Sequence, residues 1–410
     1  MRQVISAVCI SCGAEYEATP TITTCRKCGG ILDIKYDYGY IRQVLTKDKI
    51  ASREQTMWRY RELLPAEGED RVRRLRVGWS PLYETPLLAE SIGIKRLHIK
   101  DDGINPTASL KDRASVMAVV KAAEAGLRTI ACSSTGNAAS SLAGSCAAAD
   151  FESYIFVPQR APEGKLAQLM MFGAHVFLVE GNYEDTFRIS AEGIEKYGWY
   201  NRNAAINPYL VEGKKTVSME IAEQLGYEMP DYIAVSVGDG CTISGVWKGL
   251  KDLYAIGFIN RLPKLISVQA QGCCPVNRAV EENAPVRPME ENTIADSIAV
   301  GAPRNPDKAI RAIKESGGIV INVSDEEIMQ AMRLLGRTCG VFAEPAGAAG
   351  TAGLKKAVEM KRILPGATVV SLVTGNGLKD VANAIRAAGK PKAITPDMEC
   401  LDRALKEVRI

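Results

Sequence analysis

Two groups of residues in this chain have types and spacings that could do chemistry. The first is four cysteines in two C-x-x-C pairs, Cys9-Ile10-Ser11-Cys12 and Cys25-Arg26-Lys27-Cys28. A C-x-x-C turn aims two thiolates at one point, and two such turns complete a tetrahedral sulfur site for Zn2+. Gly13, Gly29 and Gly30 follow the pairs and permit the tight backbone of such knuckles. Four cysteine ligands leave no open coordination position, so the expected role is a structural clip; redox-active or free thiols are the other reading. The second group surrounds Lys111 in Asn105-Pro106-Thr107-Ala108-Ser109-Leu110-Lys111-Asp112-Arg113. Pro106, Thr107 and Ser109 mark a turn into a helix, and Lys111 falls in its first turn. There the helix dipole and loss of solvent both lower an amine's pKa and prepare it to attack a carbonyl carbon. On composition alone, a solvated lysine at a helix start is the better reading.

Three more segments sit where a strand should hand over to a helix. Ser134-Thr135-Gly136-Asn137 offers backbone N–H groups and hydroxyls to a carboxylate, although the tetrapeptide alone reads as a capped helix start. Gly238-Asp239-Gly240-Cys241-Thr242 is a glycine loop of the kind that holds a phosphate on main-chain donors, or else a plain turn. It lacks the Gly-Lys-Ser/Thr ending of a nucleotide-binding loop and the full G-x-G-x-x-G pattern. Thr374-Gly375-Asn376-Gly377-Leu378-Lys379-Asp380 follows the apolar run 369–373. Glu344-Pro345-Ala346-Gly347 reads as a helix start.

These segments must be positioned by the elements around them. Apolar runs predict strands at 129–133, 154–158, 176–179, 232–237, 265–268, 319–323 and 369–373. Apolar spacing of three and four predicts helices at 163–171, 184–197, 243–255 and 325–339. Regular alternation of the two argues for parallel sheets covered by helices, and strands clustered before and after about residue 215 argue for two α/β lobes with a cleft between them. A charged turn is expected at 67–70.

Composition narrows the function. Hydrophobic residues are 46% and charged residues 24% of 410, and the net charge is only +3 with no long basic run. Nucleic acid and anionic membranes are not implied as partners. No segment approaches the roughly 20 apolar residues that span a bilayer, and the N-terminus is too short and interrupted for a secretory signal. Cys132, Cys146, Cys241, Cys273, Cys274, Cys339 and Cys400 are scattered, as in a reducing compartment, so a cytoplasmic location is expected. The chain has two histidines, His98 and His175, both within apolar runs that read as strands. Histidine triads and histidine-rich metal catalysis lose ground accordingly.

The Asn-Pro-Thr-x-Ser-x-Lys-Asp-Arg segment resembles the cofactor-lysine motif of fold type II pyridoxal phosphate enzymes, and specifically of threonine synthases. The Ser134, Gly238 and Thr374 segments follow in the order that resemblance requires. It implies a two-lobed fold type II architecture of the tryptophan synthase β kind, with parallel α/β sheets and a small N-terminal zinc ribbon. The expected units are a ribbon at 1–35, a helical lead-in at 36–85, a large cofactor-binding lobe at 86–125 and 210–395, a small lobe at 126–209 and a helical tail at 396–410. The resemblance further implies pyridoxal 5'-phosphate carried covalently by Lys111. Asn137 would meet its phenolic oxygen, Gly238, Asp239, Gly240, Cys241 and Thr242 its phosphate, and Thr374 its ring nitrogen. Ser134, Thr135, Gly136 and Asn137 would hold the carboxylate of a small amino-acid substrate.

The implied reaction converts O-phosphohomoserine and water to threonine and phosphate, in an enzyme that commonly forms homodimers. Typical members carry Asn-Ser-x-Asn-Pro-x-Arg where this chain has Ala204-Ala205-Ile206-Asn207-Pro208-Tyr209-Leu210, and Asp239 stands where Asn is frequent. Lys214 and Lys215 are candidate replacements for the missing phosphate donors. Ala108 and Leu110 stand where Gly and Phe are usual. Two alternatives stay open: a related β-elimination, β-replacement or thiolase-type enzyme acting on a non-phosphorylated amino acid, and an inactive zinc-ribbon interaction protein.

Overall fold

Strands that read as unbroken apolar runs belong in sheets covered on both faces, because a solvated face would alternate with polar residues. A computed structural model of the protein describes residues 1–410 apart from 68–74, 135, 160–162, 182, 204 and 409–410. Thr135, Ala204 and most of the turn expected at 67–70 lie outside the described residues.

In chain order the strands are β1 (Val4–Cys9), β2 (Glu15–Tyr16), β3 (Leu32–Tyr36), β4 (Leu82–Glu84), β5 (Arg96–Asp101), β6 (Thr129–Ser133), β7 (Glu152–Pro158), β8 (His175–Val179), β9 (Tyr200–Asn201), β10 (Tyr232–Ser236), β11 (Lys264–Ala270), β12 (Ile319–Val323) and β13 (Thr368–Val373). They form three sheets, ordered β2-β1-β3, β12-β11-β10-β13-β5-β4 and β8-β7-β6-β9. The first is antiparallel. The two larger ones are parallel throughout except where β4 runs against β5. In β10 the side chains alternate between two cores: Ile233 and Val235 join one cluster, Ala234 the other. Each fully buried Ile, Val or Leu contributes about 1.5–3 kcal/mol, so the six-stranded sheet is held from both sides.

Register decides where the loops emerge. Val373 pairs with Asp101, and Ser371 of β13 with Ala234 of β10. The carboxyl ends of three neighbouring strands therefore deliver the Lys111, Thr374 and Gly238 loops to one edge, where open α/β sheets bind ligands. β6 ends at Ser133 and delivers Ser134 from the four-stranded sheet.

A helix at Pro208–Gln224 runs through the middle, buried from Pro208 to Ala222. Pro at its first position suits a site with no intrahelical N–H bond to make. Because water covers none of its faces, most of its charged side chains pair internally among the described residues, Lys214 excepted: Lys215 with Glu212 at 2.6 Å and Asp252 at 2.5 Å, Glu220 with Lys100 at 2.7 Å and Arg113 at 2.5 Å. Gly213 marks its closest approach to the helix Lys111–Glu124. A Cβ there would lie 2.1 Å from the Arg113 carbonyl oxygen, on a backbone that cannot yield.

The N-terminal sheet is fastened to this body by polar side chains. Tyr36 Oη donates to Glu212 at 2.6 Å and Tyr38 Oη to Asp252 at 2.6 Å. Lys248 and Lys308 reach the carbonyls of Ile34 at 2.7 Å and Leu32 at 2.6 Å. From the body, Tyr209 Oη donates to the Thr19 carbonyl at 2.7 Å and Tyr200 Oη to that of Pro20 at 3.2 Å.

Gly213→Ala is expected to destabilise the fold by about 1–3 kcal/mol through overpacking. Denaturant unfolding checks this; an unchanged midpoint would contradict the contact.

Candidate active site

The loop before Lys111 is rigid for reasons each residue supplies. Asn105 accepts from the Gly78 N–H at 3.0 Å and donates to the Asp102 carbonyl at 3.0 Å. Asp112 closes the turn by accepting from the Thr107 N–H at 2.8 Å and hydroxyl at 2.5 Å. Ala108 sits between them at φ +66°, a left-handed conformation that opposes any Cβ. Two residues beyond Lys111, the Arg113 guanidinium spans Asp102 at 2.7 and 2.8 Å and Glu220 at 2.5 and 2.8 Å, with Thr216 at 2.9 Å. Burial raises the Glu220 carboxyl, but Arg113 and Lys100 outweigh it and hold the pKa at about 2.

Main-chain bonds then join this loop to the end of β13. The Leu110 N–H donates to the Thr374 carbonyl at 2.9 Å, and the Asn376 N–H to the Ala108 carbonyl at 3.1 Å. The Glu344 N–H donates to Gly375 at 3.1 Å, which brings the 344–346 segment to the same place. Lys111 and Thr374 thus face one cavity of about 140 Å³, with Gly238, Asp239, Gly240, Cys241, Thr242 and Ser134 on its other walls. Burial pulls the Lys111 pKa down, as does Arg202, while Glu344 works the other way. An amine so placed is easier to deprotonate, as a nucleophile must be.

Gly240 caps the helix Cys241–Ala255 at φ +93°, and a Cβ on it would lie 2.5 Å from the Asn305 carbonyl. Asp239 turns partly away: its Oδ1 accepts from the Arg304 N–H at 3.1 Å. Gly136 and Asn137 are beside the cavity but do not line it. The Asn137 amide donates to Glu344 Oε1 at 2.7 Å and, more weakly, to Ser297 at 3.4 Å.

The sequence reading missed several lining residues, among them Phe187, Arg202, Asn203, Ser236, Ser297 and Arg304. Arg202 and Asn203 carry only a weak signal, a polar Asn-Arg-Asn run that starts at the last residue of β9. Of the candidate lysines, Lys214 lines the cavity, whereas Lys215 is committed to its carboxylates. Ala205 is on the wall, but Leu210 is in the core. His98 is buried in β5 and His175 stacks on Tyr154 at 4.5 Å, both away from the cavity.

At the other end of the chain, the Sγ atoms of Cys9, Cys12, Cys25 and Cys28 all lie within 4.8 Å of one another. Cys9–Cys28 is 3.5 Å and Cys12–Cys25 3.6 Å. A tetrahedron with metal–sulfur bonds of about 2.3 Å has edges of roughly 3.8 Å, so the donor set suits a zinc-sized ion.

The cavity fits pyridoxal phosphate. It offers a primary amine at Lys111, a hydroxyl at Thr374, a glycine loop opening a helix whose N-terminus favours an anion, and a Ser236 hydroxyl that is buried with no partner among the described residues. Comparison with known proteins agrees. Residues 73–375 match the family described as pyridoxal-phosphate dependent enzyme. Threonine synthase of Methanocaldococcus jannaschii is 41% identical over 403 residues, covering 98% of this chain and 99% of that protein. That of Methanosarcina acetivorans is 40% identical over 400 residues, covering 97% and 98%. Among solved structures, diaminopropionate ammonia lyase from Escherichia coli has a TM-score of 0.66 at 19% identity, covering 78% of this chain and 90% of that one. Serine racemase from Dictyostelium discoideum has 0.63 at 24% identity, covering 78% and 98%. Fold and cavity together are those of a fold type II pyridoxal phosphate-dependent enzyme. Within that class, the chain belongs to the threonine synthase family.

Ala108→Gly is expected to raise stability by about 1 kcal/mol by removing the left-handed strain, and Ala108→Val to lower it. Thermal unfolding of both variants tests this; a less stable glycine variant would contradict it.

Proposed function

We propose that the protein converts O-phosphohomoserine and water to threonine and phosphate, with pyridoxal phosphate carried on Lys111. The observation that carries this reading is the cavity shared by the Lys111 amine, the Thr374 hydroxyl and the Gly238 loop, in a chain 41% identical to a threonine synthase along nearly its whole length.

When bound, pyridoxal phosphate supplies an electron sink for the charge that develops at the amino acid's Cα. The chain's own residues do the rest. Lys111 moves protons at the substrate's Cα and Cβ, helped by its lowered pKa. Phosphate leaves from Cγ and water adds at Cβ. Ser134, Thr135, Gly136 and Asn137 hold the substrate carboxylate at the start of the helix Asn137–Ala149. Gly238, Asp239, Gly240, Cys241 and Thr242 hold the cofactor phosphate on main-chain N–H groups. The Thr374 hydroxyl would be a neutral partner for the ring nitrogen and would not favour its protonation. Asn137 keeps one N–H, held only loosely by Ser297, for the phenolic oxygen.

We further propose that Cys9, Cys12, Cys25 and Cys28 bind a structural Zn2+ and that the enzyme works as a cytoplasmic homodimer. Among the described residues no helix is long and apolar enough to cross a membrane. The cleft reading, with lobes at 86–125 plus 210–395 and at 126–209, accords with the separate six- and four-stranded sheets.

An action on non-phosphorylated amino acids draws its support from the Asp239 carboxylate on the cavity wall. The Arg304 N–H already engages that carboxylate, which weakens the case. Phosphate release from O-phosphohomoserine, assayed beside serine, threonine and diamino acids, decides between them: turnover of the phosphorylated substrate is expected, and deamination of the others in its place would overturn the proposal. Lys111→Ala should abolish both turnover and the visible absorbance of the lysine-bound cofactor; surviving activity would exclude Lys111. Cys9→Ser and Cys28→Ser should lower bound zinc, measured by elemental analysis, and lower stability. Full metal content in both would remove the zinc site.

A further inference from the structure

Arg202 and Lys214 are buried cations that the roles above leave unused. Arg202 is 2% exposed and its side chain lies between two helices, Lys111–Glu124 and Asn137–Ala149. Its partners are hydroxyls: Nε and Nη2 donate to Ser115 at 3.1 and 3.0 Å, and Nη2 to Ser141 at 3.4 Å. Among the described residues no carboxylate pairs with it. Lys214, also 2% exposed, has neither an ion pair nor a hydrogen bond from its ammonium among them. Both line the Lys111 cavity.

A buried charge without a counter-charge is strongly unfavourable, and here the positive ends of two helices add to the repulsion. Neutral hydroxyls do not offset that. The same wall holds two further polar atoms with no partner among the described residues, Asn203 Nδ2 and Ser133 Oγ. Donors of this kind, converging on one cavity, are what a multiply charged oxyanion requires.

We propose that Arg202 and Lys214 form a second oxyanion subsite in the cavity, which takes the phosphate group of the substrate. The inference rests on the phosphohomoserine reading and names the residues that recognise its leaving group. Lys214 stands one helical turn beyond Leu210 on the same buried helix, and Arg202 is on the segment leading into it. The cations therefore flank the positions where Ala205 and Leu210 offer no donor. Supporting this, burial and the neighbouring Lys111 and Arg202 pull the Lys214 pKa down to about 8, against Cys241, so an arriving anion would restore a full charge.

The test uses the holoenzyme and inorganic phosphate. In the wild type, phosphate is expected to compete with O-phosphohomoserine. Arg202→Met should weaken phosphate binding and raise KM for the phosphorylated substrate by about 10- to 100-fold, with a smaller change in kcat. Arg202→Lys should recover part of the loss, and Lys214→Met gives an independent reading should Arg202→Met fold poorly. Affinity for pyridoxal phosphate should change less than about threefold, and inhibition by threonine, which carries a carboxylate but no phosphate, should stay the same. Phosphate binding untouched in both methionine variants would overturn the subsite. Loss of cofactor affinity instead would reassign the cations to the cofactor phosphate, and loss of threonine binding to the substrate carboxylate. If wild-type enzyme binds phosphate through Arg202 yet leaves O-phosphohomoserine intact, the subsite stands and the reaction assignment fails. Turnover unaffected by all three variants is the reverse.

Discussion

The fold's central constraint is the Arg113 guanidinium, clamped with no exposure between the carboxylates of Asp102 and Glu220. Asp102 follows β5, Arg113 belongs to the helix that Lys111 begins, and Glu220 comes from the central helix. One planar cation thereby fixes three elements at once. Removing one partner of such a pair costs about 3–5 kcal/mol, because it strands the other charge out of water. The geometry is two-pronged on both sides, which tolerates little rotation. Since Lys111 lies less than one helical turn away, the direction of its side chain is inherited from that clamp.

The same residue type does opposite things a short distance away. Arg113 has every prong matched by protein oxygens and serves as framework. Arg202 is also buried, but among the described residues it meets two serine hydroxyls and no carboxylate, and it lines the Lys111 cavity. Burial alone does not separate a structural arginine from a binding one. The identity of its partners does.

Much of the fold was legible in the sequence because its signals are local. Strands 129–133 and 319–323 match β6 and β12, and the apolar runs elsewhere fall within a few residues of their strands. The Lys111, Gly238 and Thr374 segments were legible as candidates because each is a short motif at a strand end, and register gathers those strand ends around one cavity. What stayed hidden depends on distance along the chain. Lys215 is set apart from Lys214 partly by Glu212, one helical turn before it, and partly by a carboxylate at Asp252, 37 residues on, which no local pattern announces. Asn137 reads as facing a ligand, yet its amide reaches Glu344 across 207 residues. Arg202 has no motif, and its importance comes from what surrounds it.

The N-terminal sheet reads as a self-contained module, with its own cysteines and its own strands. Its packing says otherwise. Leu32, Ile34 and Tyr36 share a single apolar core with the central helix, Tyr200 and Tyr209 donate to the carbonyls of Pro20 and Thr19, and Lys248 reaches the Ile34 carbonyl and Asp33 as well as Glu212. Truncation at residue 35 would take the Pro20 and Thr19 carbonyls from Tyr200 and Tyr209, the Ile34 carbonyl and Asp33 from Lys248, and would expose to water the apolar face that Leu32 and Ile34 cover. The sheet is therefore not detachable cargo that recombination could exchange between relatives; it is part of the scaffold and has to be inherited with the rest of the chain.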